Sequence, residues 1–187
     1  MSYRAYNYSA FYVAEPFNPS NLGAFATPDF SHYCRLKAWK KQDSSFPFLD
    51  AHETTYSVRD NSDWEGTLKP RLHERLRNSK NIILFLSSKT VCSRALREEL
   101  DYGINVLGLP VIVVYADYTS NSLISDGNHK PSFLAKWLWD KVPIFRDNIS
   151  KIPTAHVPLS KEYLAQALRD PDFTIQGKNT NFCWCYS

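Results

Sequence analysis

Apolar residues recur along this chain in two rhythms. Asn81-Ile82-Ile83-Leu84-Phe85-Leu86 and Pro110-Val111-Ile112-Val113-Val114-Tyr115 are short, nearly continuous hydrophobic runs. Tyr6 to Val13 is aromatic-rich and β-prone, and Phe46-Pro47-Phe48-Leu49 is a shorter apolar run. Continuous rather than alternating hydrophobicity predicts strands covered on both faces, as in a parallel sheet. Between these runs the spacing becomes helical. Phe30, Tyr33, Leu36 and Trp39 recur every three residues within Pro28 to Lys41, Leu68, Leu72 and Leu76 every four within Trp64 to Asn78, and Ser93 to Leu107 forms a third helical segment. Pro131 to Lys141 predicts a shorter helix, Ile152 to Leu159 a last strand, and Lys161 to Arg169 a terminal helix. The alternation predicts a flavodoxin-like, doubly wound α/β fold: a mainly parallel five-stranded sheet with helices on both faces. In such folds ligands bind outside the carboxyl ends of the strands.

Two loops fall at that edge, Glu15 to Ala26 after the first strand and Asp117 to Lys130 after the fourth, both rich in Pro, Asn, Gly or Ser. A chain of 187 residues, 43% apolar and 22% charged, suits one folded domain. Its core is expected over about residues 3–169, with a C-terminal tail over 170–187. The net charge of +3 comes without a dense Lys/Arg run, which argues against a nucleic-acid partner. The longest apolar run, Leu107 to Ala116, is about half of what a membrane span needs, so no membrane is expected. Four cysteines and no signal-peptide pattern imply the cytoplasm. Cys183-Trp184-Cys185 lacks a second ligand pair at zinc-finger spacing, so no metal is implied.

Familiar chemical motifs are absent. There is no G-x-G-x-x-G, no Walker-type loop, no G-x-S-x-G and no H-E-x-x-H, and six glycines leave little for phosphate cradles. The informative stretch is Leu86 to Leu100, where a strand ends, a Ser/Thr-rich turn follows and an acidic helix begins, with Ser93 as its N-cap. A helical wheel centred on Leu100 sets Glu98 opposite the buried stripe and Glu99 at its boundary, about 80° from the centre. A boundary carboxylate can be desolvated enough to stabilise a developing positive charge, while the plain alternative is a surface Glu paired with an Arg. One carboxylate is sufficient for one reaction in particular. The nicotinamide of NAD⁺ leaves as a neutral amine and needs no general acid, and the oxocarbenium-like ribose left behind benefits from a nearby anion. An aromatic share of 14% suits a stacking site or a bulky core equally.

Leu84 to Leu100, a strand, a Ser-rich turn and a helix bearing Arg-Glu-Glu-Leu, resembles the third strand and catalytic helix of TIR domains. Phe48-Leu49-Asp50-Ala51-His52, Val58-Arg59-Asp60-Asn61-Ser62, Leu76-Arg77-Asn78-Ser79-Lys80, Gly108 to Val114 and Ile152 to Leu159 resemble the bacterial TIR-like proteins typified by the ThsB component of Thoeris antiphage defence. The resemblance spans roughly Tyr3 to Arg169. It implies Glu99 as the NAD-cleaving residue, with NAD⁺ as substrate and no cofactor. It also implies Tyr8, Ser9, Phe11, Ser87 and Ser88 beside Glu99, and His52, Arg59 and Asp60 in the mobile loop after the second strand, Arg59 facing phosphate. The implied partners are a phage-derived trigger, further copies of the chain in a homo-oligomer, and an effector reached through a diffusible ADP-ribose-derived signal. The chain departs from the TIR pattern in two places: Ala95 to Glu98 supplies no Trp before the Glu, and Glu15 to Ala26 is longer.

Two other readings fit the same fold, because function resides in the site rather than in the architecture. One is a TIR or receiver-like module that works by self-assembly without turnover. The other is an enzyme like the nucleoside deoxyribosyltransferases, which uses a carboxylate on nucleosides rather than on NAD⁺.

Overall fold

The computed structural model describes residues 8–12, 28–51, 63–177 and 182–186. Five strands form one parallel sheet in chain order: β1 (Tyr8–Tyr12), β2 (Ser79–Leu86), β3 (Val111–Tyr115), β4 (Thr154–Pro158) and β5 (Cys183–Cys185). The helices are α1 (Pro28–Gln42), α2 (Lys69–Arg77), α3 (Arg94–Asp101), α4 (Phe133–Trp139), α5 (Pro143–Arg146) and α6 (Lys161–Arg169). A wide turn, Trp64–Leu68, leads into α2, and another, Tyr102–Val106, extends α3.

Period-two alternation in the strands divides the core. Ile82, Leu84, Leu86, Val111, Val113 and Tyr115 pack beneath α2, α3, α4 and α5, whereas Ile83, Phe85, Ile112, Val114, Ala155 and Val157 pack against α1 and α6. The helices on both faces explain why the strand sequences show no polar alternation. Local chemistry sets the helix ends: the Ser93, Ser132 and Ser160 hydroxyls accept from the backbone N–H groups of Leu96, Ala135 and Tyr163. After the α3 extension, Gly108 takes φ +64° and turns the chain into β3.

Two expectations change. The apolar run at Phe46 to Leu49 does not become a full strand. Its end makes one parallel bridge, Ser9 to Asp50, in which the Ser9 N–H donates to the Leu49 carbonyl, and Phe46 and Phe48 sink into the α1/α6 core instead. Pro47 cannot donate to a ladder, which fits so short a pairing. The fifth strand comes from Cys183–Cys185, part of the segment expected as a tail, which pairs along β4. Because Asp50 lies beyond β1, the chain reverses its direction of travel across the sheet between β1 and β2. The crevice of a doubly wound fold forms at such a reversal.

Candidate functional site

Glu99 lies in the middle of α3, and the fold withdraws it from water: its side chain is 8% exposed. Arg75 of α2 places a guanidinium nitrogen 3.7 Å from its carboxylate, and that side chain is 10% exposed. Burial raises the Glu99 carboxyl well above the ordinary range, and Arg75 offsets part of that rise. A separation of 3.7 Å is too long for a hydrogen bond, so the attraction does not repay the full loss of hydration. The boundary position read from the helical wheel is therefore a buried one, because α2 closes over the side of α3 that carries Glu99. The pairing with an Arg, the plain alternative in the sequence, is present as well, but inside the protein rather than on its surface.

Glu98 also departs from expectation. It is half-buried rather than solvated, with Lys69 Nζ at 3.2 Å and His73 Nε2 at 2.9 Å from the same carboxylate oxygen. His73 stacks on Tyr102 with ring centroids 3.6 Å apart, and Arg77 donates to the Tyr102 hydroxyl at 3.1 Å. Nearer the start of both helices, Arg94 pairs with Glu65 at 2.7 Å and covers the Trp64 ring. The α2–α3 seam is thus a continuous line of charged and aromatic side chains, of which Glu99 and Arg75 are the most buried charges.

The residues expected around Glu99 divide between different places. Tyr8 and Ser9 pair with Ser79 and Asn81 near the start of β2, whereas Ser87 and Ser88 follow its end. Six residue steps lead from Asn81 to Ser87, about 20 Å at the rise of a parallel strand. Ser9 is fully buried and shares its register with Asn81, whose amide donates to the Phe173 carbonyl in the α1/α6 core. That is the face opposite α3, so the structure does not bring Ser9 to Glu99. Phe11 pairs with Ile83 in the sheet. His52, Arg59 and Asp60 lie outside the described residues.

Ser87 and Ser88 do lie at the carboxyl edge, in a turn held from two sides. The Ser87 N–H donates to Thr90 Oγ1 at 2.9 Å, and the Ser88 N–H donates to the Asp117 carboxylate at 2.6 Å. His32 of α1 stacks on Phe85 at 5.0 Å, and its pKa is lowered by burial and by Arg35, with Asp117 acting in the opposite sense. Arg75, Asp117 and His32 escaped the sequence reading. Each acts across a helix or strand boundary, and no spacing within one element marks such a residue.

A family model for the Thoeris protein ThsB, TIR-like domain, matches residues 5–121, more than half of the chain. The chain belongs to this family. The ThsB match takes in β1, α1, the α2–α3 seam and β3, and hence both Glu99 and the Ser87–Ser88 turn. It ends before α4, so the part of the sheet made by β4 and β5 stands outside the ThsB match. The TIR-like fold and its place in Thoeris defence follow from the family. Among the described residues no helix is long and apolar enough to cross a membrane.

Proposed function

We propose that this chain cleaves the nicotinamide–ribose bond of NAD⁺ and that Glu99 is its catalytic carboxylate. The observation that carries the reading is that Glu99, inside the ThsB-matched region, is removed from water and set 3.7 Å from the Arg75 guanidinium, whereas Asp50, the other buried carboxylate among the described residues, accepts from the Tyr33 hydroxyl. In a low-dielectric setting an anion attracts the developing oxocarbenium charge far more strongly than it would in water. The raised carboxyl fits this role when substrate is present. The pyridinium of NAD⁺ is itself cationic, and its approach pulls the carboxyl back toward ionisation. The departing nicotinamide takes the bond's electron pair and leaves neutral, and water or a hydroxyl of the same molecule then captures the ribose carbon. The product is an ADP-ribose-derived signal for a partner effector in antiphage defence, and a phage-derived trigger starts its production.

The reading is tested by nicotinamide release from NAD⁺ with wild type and Glu99→Gln, each assayed alone and in phage-infected cells. Release by wild type that disappears in the variant supports it, and kcat/KM rising with pH as Glu99 ionises supports the role of the anion. Defence by Glu99→Gln with no release from either protein refutes it. Turnover of nucleosides with none of NAD⁺ transfers the assignment to the deoxyribosyl-transfer class.

A second reading has its own observation. Helix α4 exposes Phe133 (82%), Trp137 (49%) and Leu134 (43%), with Leu123 (43%) preceding it in the chain. An apolar cluster of this kind on a folded surface is typical of a protein–protein contact. It supports assembly of the chain into a homo-oligomer, either as the mode of action itself or as the step that completes the catalytic site.

A further inference from the structure

A concavity lies between α4, β5 and the turn at Ile149–Ser150, with a volume of about 440 Å³. Its walls include Lys130, Lys136, Trp139, Ser150, Phe182 and Cys183. All of these residues follow the ThsB-matched region, and they sit at the β4–β5 side of the sheet, away from the α2–α3 seam. The walls carry two ammonium groups and no carboxylate. The nearby Asp126 carboxylate accepts from the backbone N–H groups of Asn128 and Lys130, and its charge attracts both lysines without forming an ion pair with either.

Two of these walls are fixed from behind by a buried polar chain. Trp139 Nε1 donates to the Tyr115 hydroxyl at 2.9 Å, and that hydroxyl lies 2.8 Å from His156 Nδ1. His156 Nε2 lies 3.0 Å from the Cys183 sulfur and 3.1 Å from the Thr154 hydroxyl. Because Trp139 donates into the phenol oxygen, the phenol proton is assigned to His156 Nδ1, which leaves Nε2–H to donate to Cys183 and Thr154. Tyr115, Thr154 and His156 are completely buried. A fully satisfied buried network of this kind holds its members in one arrangement, and here two of those members face the cleft.

The geometry points to this cleft as a binding site for a small anion with a flat aromatic body, of the size and chemistry of a purine mononucleotide. The volume falls in the range of small-molecule sites. The indole of Trp139 gives apolar area for a base, and Lys130 and Lys136 give charge for one phosphate. Neither lysine has a carboxylate within ion-pairing distance among the described residues, so binding breaks no internal salt bridge that holds them. The inference does not depend on Glu99 or on NAD⁺ cleavage.

The test uses AMP as probe, with adenosine as control, on the full chain. Calorimetry gives affinity, and the rate of Cys183 alkylation, followed by peptide mass spectrometry, gives location. The exposed Cys34 is the internal reference. Lys130→Glu/Lys136→Glu changes two exposed side chains, so the fold should persist, and this is checked by its thermal midpoint. The expected result is that AMP slows alkylation of Cys183 but not of Cys34, that adenosine does so far less, and that the double variant weakens AMP binding by about tenfold or more. Three results overturn the proposal: no AMP binding at millimolar concentration, protection by adenosine equal to that by AMP, or binding that the double variant leaves unchanged. Loss of nicotinamide release in Glu99→Gln with Cys183 protection intact separates this site from the catalytic one.

Discussion

Replacing Arg75 by methionine removes the guanidinium that faces Glu99 and keeps most of the apolar stem. At 3.7 Å and an effective dielectric of about 20 the lost attraction is about 4 kcal/mol, provided that the carboxyl is ionised. The protein can avoid that loss by protonating Glu99, which costs about 1.4 kcal/mol for each unit of pH above the carboxyl's own pKa. The raised folded pKa fixes the sign. Relative to the unfolded chain, the contribution of Glu99 to stability is fully present below the unfolded value of 4.5 and is lost as pH rises through the folded one. Without Arg75 the folded pKa rises further, and the loss continues to higher pH. In urea unfolding, the gap between wild type and Arg75→Met is therefore expected to be small while Glu99 is protonated in both proteins and to widen as pH rises through the folded wild-type pKa, toward a limit of about 4 kcal/mol. With Glu99→Gln present in both proteins, the gap due to Arg75→Met should become independent of pH. A gap that is constant from acid to alkaline pH, or one that Glu99→Gln does not flatten, would refute the account of Glu99 as a desolvated carboxylate held by Arg75.

Three further outcomes are expected. Burial depresses His156 to about 3 from 6.5, so its contribution to stability is present above 6.5 and is lost as pH falls toward 3; His156→Gln should flatten that acid limb in unfolding curves even if it lowers stability at neutral pH. A Cβ at Gly103 would sit 2.5 Å from Ile82 Cδ1, so Gly103→Ala should cost about 1–3 kcal/mol in thermal or urea unfolding, and Ile82→Val, which removes that methyl, should recover part of the loss. Ser93→Ala removes the acceptor for the Leu96 N–H and should cost about 1 kcal/mol, whereas Ser93→Asp should cost little.

Much of the fold was legible in the chain because the parallel sheet leaves a strong local signal. Ile82 to Leu86 and Val111 to Tyr115 have no solvent-facing side, so their apolar continuity marks them as central strands. The capping serine, the length of α3 and the period of its apolar stripe are likewise local, and they marked Glu99 as a carboxylate at the edge of a core. Short-range pattern could not tell that Phe46 to Leu49 would sink into the core and pair only at its end, or that Cys183–Cys185 would complete the sheet. Both depend on what a distant segment leaves uncovered: the free edge of β1 in one case and that of β4 in the other.

The site follows the same division. The sequence by itself marked the two central strands, the main helices and Glu99 as an acidic candidate at the edge of a core, since each is read from residues a few positions apart. Tertiary structure alone decided that Arg75 would meet Glu99 from another helix, that Ser9 would face away from it, and that Trp139, Tyr115, His156 and Cys183 would form one chain of hydrogen bonds. The physical reason is that burial and charge pairing depend on which helix covers which face of the sheet. That choice is made by packing over the whole domain, and no single segment of the chain encodes it.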